Sequence, residues 1–283
     1  MAQIDASSTE RGEPLIEVID LVRKFGDRSV LNGVSFKIYP GDTFVIMGGS
    51  GCGKSTLLRH LIGAEKPTSG VIKMFGEDIT RMSSQQMQGV RRRIGMLFQS
   101  GALLQSMTVE DNVALPLREH GNLNADLVDI VVKMKLEQVG LTGHGKKMPS
   151  EISGGMKKRV ALARALALDP ELIFSDEPTA GLDPIMTAVV DQLTKDLTRK
   201  IGATVVVVTH DMTSIFRIAS RIIMLGTGEQ QGKIVAEGTP EEIRSHSSPI
   251  VQQFIEGQAH GPIPYKTAGE KYGEVLLGSD FEI

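Results

Sequence analysis

The chain has one cysteine, Cys52, in 283 residues. That excludes an intramolecular disulfide and fits a reducing compartment. Long apolar runs are also missing: none approaches the roughly 18–20 residues needed to cross a bilayer as a helix. Excess charge is absent too. The net charge of -3 argues against a general nucleic-acid binder, so no nucleic-acid partner is expected. Two local basic runs, Arg91, Arg92, Arg93 and Lys157, Lys158, Arg159, read as solvated faces. No internal repeat is visible. The start, MAQIDASSTERGEP, has neither the apolar stretch nor the basic lead of a signal peptide, and residues 1–13 read as a polar, disordered lead-in. The expectation is a soluble, cytoplasmic protein that reaches a membrane only through partners.

What is present suffices for a sizeable core. With 41% hydrophobic and 23% charged residues, the length allows one large α/β domain or a domain with an inserted subdomain. LIEVIDLV (15–22) and VSFKI (34–38) read as strands, the second closed by a Pro-Gly turn. TFVIM (43–47) is short and continuously apolar, as in a strand covered on both faces. SGVIKMFGEDI reads as a strand pair, and RRRIGMLFQ (91–99) as a strand. From residue 100 to about 141 the pattern is helical or irregular, which suggests an inserted helical region. ELIFSDEP is a buried strand ending in acids, and TVVVVTHD is the best candidate for a central parallel strand. MTAVVDQLTKDLTRKI and DMTSIFRIA read as helices, and RIIMLGTGEQQGKIVAEG as a hairpin. Strands alternating with helices imply layers around a mainly parallel sheet.

Residues 48–55, GGSGCGKS, fit G-x-x-x-x-G-K-[ST] after an apolar strand and at the opening of a helix. Such a match arises by chance in roughly one chain of this length in a hundred. Gly49, Gly51 and Gly53 let the backbone curl round a phosphate chain with its N–H groups inward. The helix start adds partial positive charge. Lys54 would reach the β- and γ-phosphates and the Ser55 hydroxyl would bind Mg²⁺. The ATP-binding candidates are therefore Gly48, Gly49, Ser50, Gly51, Cys52, Gly53, Lys54, Ser55 and Thr56. Cys52 serves there as a small side chain, and a bulky thiol reagent on it should block nucleotide binding. Asp176, at a strand end, would hold Mg²⁺ through water, and Glu177 is placed to polarise a water for attack on the γ-phosphate. Ser175 breaks the apolar run without an evident reason. A second glycine-rich helix start, SEISGGMKKRVALARAL (150–166), has the design of another anion site.

These motifs, in this order, resemble an ABC-type ATPase subunit from about residue 15 to 240. ISGGMKKR is similar to that family's signature segment. The resemblance implies a P-loop NTPase of class α/β with a RecA-like core, an antiparallel β subdomain and an inserted α-helical subdomain. It implies Gln99 as the Q-loop glutamine near Mg²⁺ and water, and Asp183 in AGLD as the D-loop acid coupling the dimer. It implies His210 as the switch histidine on the γ-phosphate, and Phe25 as the aromatic against adenine. It further implies a head-to-tail homodimer in which Ser153, Gly154 and Gly155 of one copy cap the ATP of the other. The catalytic set is then Glu177, His210 and Gln99, the Mg²⁺ set Ser55, Gln99 and Asp176, and the cofactors ATP and Mg²⁺.

Soluble members of the family usually carry two cassettes or a very long coiled-coil insertion, and this chain has neither. A separate integral-membrane permease is therefore implied, docking on the helical region, where Leu103 and Leu104 are either surface or core. LFQSGALL, NVALPLREH, the Met after the two glycines and the tail FIEGQAHGPIPY resemble the ATPase of Mla-type, MCE-linked lipid transporters. That resemblance implies phospholipid transport in a bacterial envelope and an MCE-domain lipid-binding partner. In some members a small STAS-domain protein also binds. It places the subunit peripherally on the cytoplasmic face of the inner membrane. The alternatives are an ABC ATPase for another substrate or a soluble regulatory ABC protein. The expected division is a lead-in at 1–13, an ATPase domain at 14–245 (core 14–98 and 160–245, helical part about 99–159) and an extension at 246–283. Phe254, Ile263, Tyr265, Tyr272, Leu276, Leu277 and Phe281 make that extension apolar enough to dock, on the neighbouring copy or on its own cassette.

Overall fold

The computed structural model describes residues 12–121 and 123–263. Two long antiparallel strands open it, β1 (Ile16–Phe25) and β2 (Arg28–Ile38), followed by β3 (Thr43–Gly48) and helix α1 (Lys54–Leu61). Then come β4 (Ser69–Met74), the short β5 (Glu77–Asp78), α2 (Ser84–Arg92) and β6 (Ile94–Leu97). Three helices follow: α3 (Val109–His120), α4 (Ala125–Gln138) and α5 (Gly154–Ala165). The alternation resumes with β7 (Leu172–Asp176), α6 (Pro184–Asp196), β8 (Thr204–Val208), α7 (Met212–Ile218) and β9 (Arg221–Leu225). β10 (Ile234–Gly238), α8 (Pro240–Arg244) and α9 (Pro249–Glu256) close the described chain.

One sheet has the order β2-β1-β4-β5 and is antiparallel. The other has the order β10-β9-β3-β8-β7-β6 and is parallel except for β10 at its edge. β3 and β8 lie at its centre and every residue of both is buried, which is why they read as unbroken apolar runs. Successive residues still divide between two cores, because side chains alternate across a strand. Phe44, Ile46, Val206 and Val208 pack with Leu57 and Leu61 of α1 and with Ile16 and Leu31 of the antiparallel sheet. Val45, Met47, Val205 and Val207 belong to the core shared with Val113 of α3, Val132 of α4 and Val160 of α5. Burying a side chain such as Phe44 or Val45 stabilises the fold by roughly 1.5–3 kcal/mol.

Some local expectations change. Arg91 and Arg92 end helix α2 rather than open a strand, because Ser83 and Gln86 form a reciprocal capping box that starts a helix there. Strand β6 begins only at Ile94. β2 begins six residues before the expected VSFKI segment, since the turn after Phe25 is tight enough to pair Phe25 with Arg28. α6 widens into a π-helical turn at Leu197–Ile201 before Gly202 ends it with φ 72°. Residues 1–11 of the polar lead-in, and Tyr265, Tyr272, Leu276, Leu277 and Phe281 of the tail, lie outside the described residues.

Candidate functional site

Four neighbouring strands of the parallel sheet, β3-β8-β7-β6, end on the same side. Ligands bind beyond the carboxyl ends of such strands. β3 delivers Gly48, β8 delivers Thr209 and His210, β7 delivers Asp176 and Glu177, and β6 leads into Gln99. A cleft of about 1110 Å³ gathers Gly48, Gly49, Ser50, Gly51, Lys54, Ser55, Gln99, Asp176, Glu177 and His210.

The glycine loop is built against backbone. A Cβ on Gly48, at φ 144°, would lie 2.5 Å from the Leu225 carbonyl oxygen and 2.8 Å from Cys52 Sγ. Gly53, the N-cap of α1, has φ 109° and supplies no side-chain cap, so the first N–H groups of the helix are left for a ligand. Lys54 Nζ donates to the carbonyls of Gly48 at 2.7 Å and Gly49 at 3.1 Å, folding back on the loop. Gln231 braces the outer side by donating to the Gly51 carbonyl. Cys52 turns its side chain away from the cleft, where Sγ accepts weakly from Lys54 Nζ at 4.0 Å. Its thiol is fully buried behind the loop, and burial pushes its pKa up. Thr56 is half-buried one position further into α1.

The acids sit where β7 ends. Burial first, and the neighbouring Glu177 second, hold the Asp176 carboxyl above the usual range, against the pull of Lys54 and Lys158. Glu177 adopts φ 47°, a left-handed conformation that side chains rarely take. Its N–H donates to the Val208 carbonyl, so the turn swings the carboxylate toward the end of β8. There Oε1 lies 2.7 Å from His210 Nδ1, and Oε2 accepts from Thr209 Oγ1 at 3.2 Å. This left-handed turn explains how adjacent acids on one strand both face the site. Nothing in the structure explains the Ser175 hydroxyl, which is buried without a partner among the described residues.

Other expected residues lie off this cleft. Phe25 ends β1, half-exposed, with the Arg23 guanidinium 4.3 Å above its ring. Ser153 caps α5 by accepting from Met156 N, with Ser153 and Gly154 exposed at that helix start. Gly155 is buried against Met186 of α6. Met156 packs on the chain's own core. Asp183 caps α6 by accepting from the N–H groups of Ile185 and Met186. Leu103 is core and Leu104 is exposed.

Three contributions were not foreseen. Thr209 holds Glu177, and its place directly before His210 was the available signal. Lys158 is buried rather than solvated, and Arg159 donates to the Val139 and Gly140 carbonyls. Of the two docking modes expected for the C-terminal extension, its described part takes the second and folds on its own cassette, and the wall it builds is the third unforeseen contribution. Phe254 packs on the core, and buried Gln253 holds Ile263 through both of its amide atoms. Gln253, Gly257, Gln258 and His260 thereby line part of the cleft.

A family model described as ABC transporter matches residues 31–180. The intermembrane phospholipid transport system ATP-binding protein MlaF of Escherichia coli (strain K12) is 45% identical over 266 residues, 94% of this chain and 97% of that protein. The probable ribonucleotide transport ATP-binding protein mkl of Mycobacterium tuberculosis (strain ATCC 25618 / H37Rv) is 42% identical over 91% of this chain and 71% of its own length. Among solved structures, the dimeric post-hydrolysis state of the ATP-binding cassette MJ0796 bound to ADP and Pi superposes with a TM-score of 0.72. It is 32% identical and covers 80% of this chain and 98% of its own.

Proposed function

Because this chain belongs to the ABC transporter family of ATP-binding cassettes, we propose that it is the ATP-hydrolysing subunit that powers phospholipid transport between bacterial envelope membranes. The near full-length likeness to the Escherichia coli protein named for intermembrane phospholipid transport carries the lipid reading. The likeness to a protein named for probable ribonucleotide transport favours, as second reading, a transporter for another cargo.

The chain's own groups fit a nucleoside triphosphate with a hard cation. The uncapped α1 start and the glycine cradle suit phosphate. Ser55, Gln99 and Asp176 present oxygen donors of the kind Mg²⁺ prefers. Held by those three residues, Mg²⁺ would supply charge neutralisation to the phosphates. Lys54 would leave the Gly48 and Gly49 carbonyls for the phosphates. Glu177 takes the proton of the attacking water, with its carboxylate aimed by Thr209, and His210 holds the γ-phosphate end. Phe25 would flank the adenine.

Ser153, Gly154 and Gly155 cap the nucleotide of a second copy, and Asp183 couples the two sites. The domain division 14–245, with its helical part at about 99–159, belongs to this reading, as does a permease docking by exposed Phe98 and Leu104. So do an MCE-domain partner, a STAS-domain partner and a place on the cytoplasmic face of the inner membrane. No described helix is long and apolar enough to cross a membrane. The test is purification of the intact membrane complex through this subunit, with lipid analysis and ATP-driven lipid transfer. Co-purifying permease, MCE protein and phospholipid are expected. A complex that lacks them and moves another cargo on ATP would overturn the lipid reading.

A further inference from the structure

Lys158 lies five residues after Ser153, on the second turn of α5. It is 7% exposed, between half-buried Lys157 and Arg159. Its ammonium donates to the backbone carbonyl of Gln99 and, at 3.4 Å, to that of Glu177. Burial alone pushes its pKa down, while the carboxylates of Glu177 and Asp176 push it back up.

Burying an ammonium is unfavourable unless its donors are satisfied, and an apolar side chain would serve better if α5 only needed anchoring. The two carbonyls it holds belong to residues read above as flanking the attacking water. They also come from different parts of the chain, one after β6 and one after β7. The helix that carries the lysine begins with Ser153, Gly154 and Gly155, and Gly155 packs on Met186 of α6. α5 therefore joins that start to the ammonium, on its second turn, within one rigid element.

We propose that Lys158 is a positioning residue for hydrolysis, holding the backbone of Gln99 and Glu177 in register with the helix whose start meets the nucleotide of a second copy. The inference rests on the ATPase reading above. Through Lys158, the state of the nucleotide at the α5 start reaches the base of the chain's own site.

The test compares full-length wild type, Lys158→Met and Lys158→Arg by steady-state ATPase kinetics and by direct binding of a fluorescent ATP analogue. Misplacing a base has large kinetic effects, so Lys158→Met should lower kcat roughly ten- to a hundredfold. KM and nucleotide affinity should move by less than about threefold, because ground-state binding is made elsewhere. Lys158→Arg, which keeps a cation with several donors, should recover kcat to within about threefold. Wild-type kcat in Lys158→Met would overturn the proposal. Equal losses of affinity and kcat in both variants would overturn it too, since that marks a merely structural residue. Should Lys158→Met fail to fold, Lys158→Gln replaces it with the same expected split and the same overturning results. A wild type without ATPase activity sinks the functional reading instead, and is told apart by that control.

Discussion

Replacing Glu177 with Gln separates binding from chemistry. In the structure the carboxylate has two partners, His210 Nδ1 at 2.7 Å and Thr209 Oγ1 at 3.2 Å. An amide of the same shape can keep both: its oxygen accepts from Thr209, and its NH₂ can donate to His210 Nδ1 in the tautomer that leaves that nitrogen an acceptor. The left-handed backbone at φ 47° is equally strained in either residue. The loop, Lys54 and Asp176 are untouched, so ATP affinity should stay within about threefold of wild type. What the amide cannot do is accept a proton. Loss of a positioned general base lowers the rate by roughly 10²–10⁴, or about 3–5 kcal/mol in barrier height. Phosphate release should fall by that factor, while equilibrium binding of ATP persists and a dimer accumulates in ATP on size exclusion. Wild-type turnover would refute the role given to Glu177. Parallel loss of binding and turnover would show that the carboxylate holds the nucleotide rather than activates water.

Glycine replacements should divide by what the new Cβ meets. Gly48→Ala sets a methyl 2.5 Å from a backbone oxygen at φ 144°, so thermal denaturation should show a loss of more than about 2 kcal/mol, with ATP binding gone. Gly155→Ala meets only the flexible tip of Met186, at 2.6 Å, and should cost less than about 1 kcal/mol by the same assay. Arg217→Leu strips the ion pair, at 2.7 Å, from Asp191, whose side chain is 1% exposed. Arg217 is itself 36% exposed, so the loss at neutral pH should sit near the low end for a broken buried pair, about 3 kcal/mol in denaturant titration. Burial already holds the Asp191 carboxyl above the usual range, despite Ser214 and Arg217. Between the unfolded and the raised folded value the native state binds more protons, so this group's contribution falls as pH rises. Removing Arg217 raises the folded value further, so the defect of Arg217→Leu should shrink as pH falls from that higher value to the wild-type one, and a pH-independent defect would count against the reading. Cys52, buried with a raised pKa, should react with maleimide roughly a hundredfold more slowly than a free thiol until denaturant opens the fold. Fast labelling of the native protein would contradict that placement.

The chain's grammar was legible where a residue acts through its backbone. The loop from Gly48 to Lys54 could be found because only glycines fit its turns, and β3, β7 and β8 because strands covered on both faces lose their alternation. The buried lysine was not legible. Lys157, Lys158 and Arg159 look alike in sequence, and only tertiary packing decides that the middle one turns inward while Arg159 reaches the end of α4. The same holds for Arg91 and Arg92, where a capping box eight residues upstream outweighed the strand-like IGML that follows. The wall formed by Gln253 escaped for another reason. A lone Gln beside Phe254 carries no signal of its own burial, although it is 4% exposed and fixes the chain to Ile263.

The starts of four helices bear on why one chain carries two anion-binding designs. α5, α6 and α7 are each capped by their own side chain: Ser153, Asp183 and Asp211. Each cap satisfies N–H groups locally and is worth about 1 kcal/mol. α1 forgoes that stabilisation, since Gly53 has no side chain to give. Its free donors, with Lys54 beside them, make it the end where a triphosphate gains most. The α5 start is different. Ser153 uses its oxygen on Met156 N, which leaves its O–H and the N–H of exposed Gly154 for an outward-facing contact. In the proposed dimer this outward-facing start would close over a nucleotide bound at the α1 start of a second copy. Met156 fits this division, because a thioether packed on the chain's own core has no hydrogen bond to offer across such an interface.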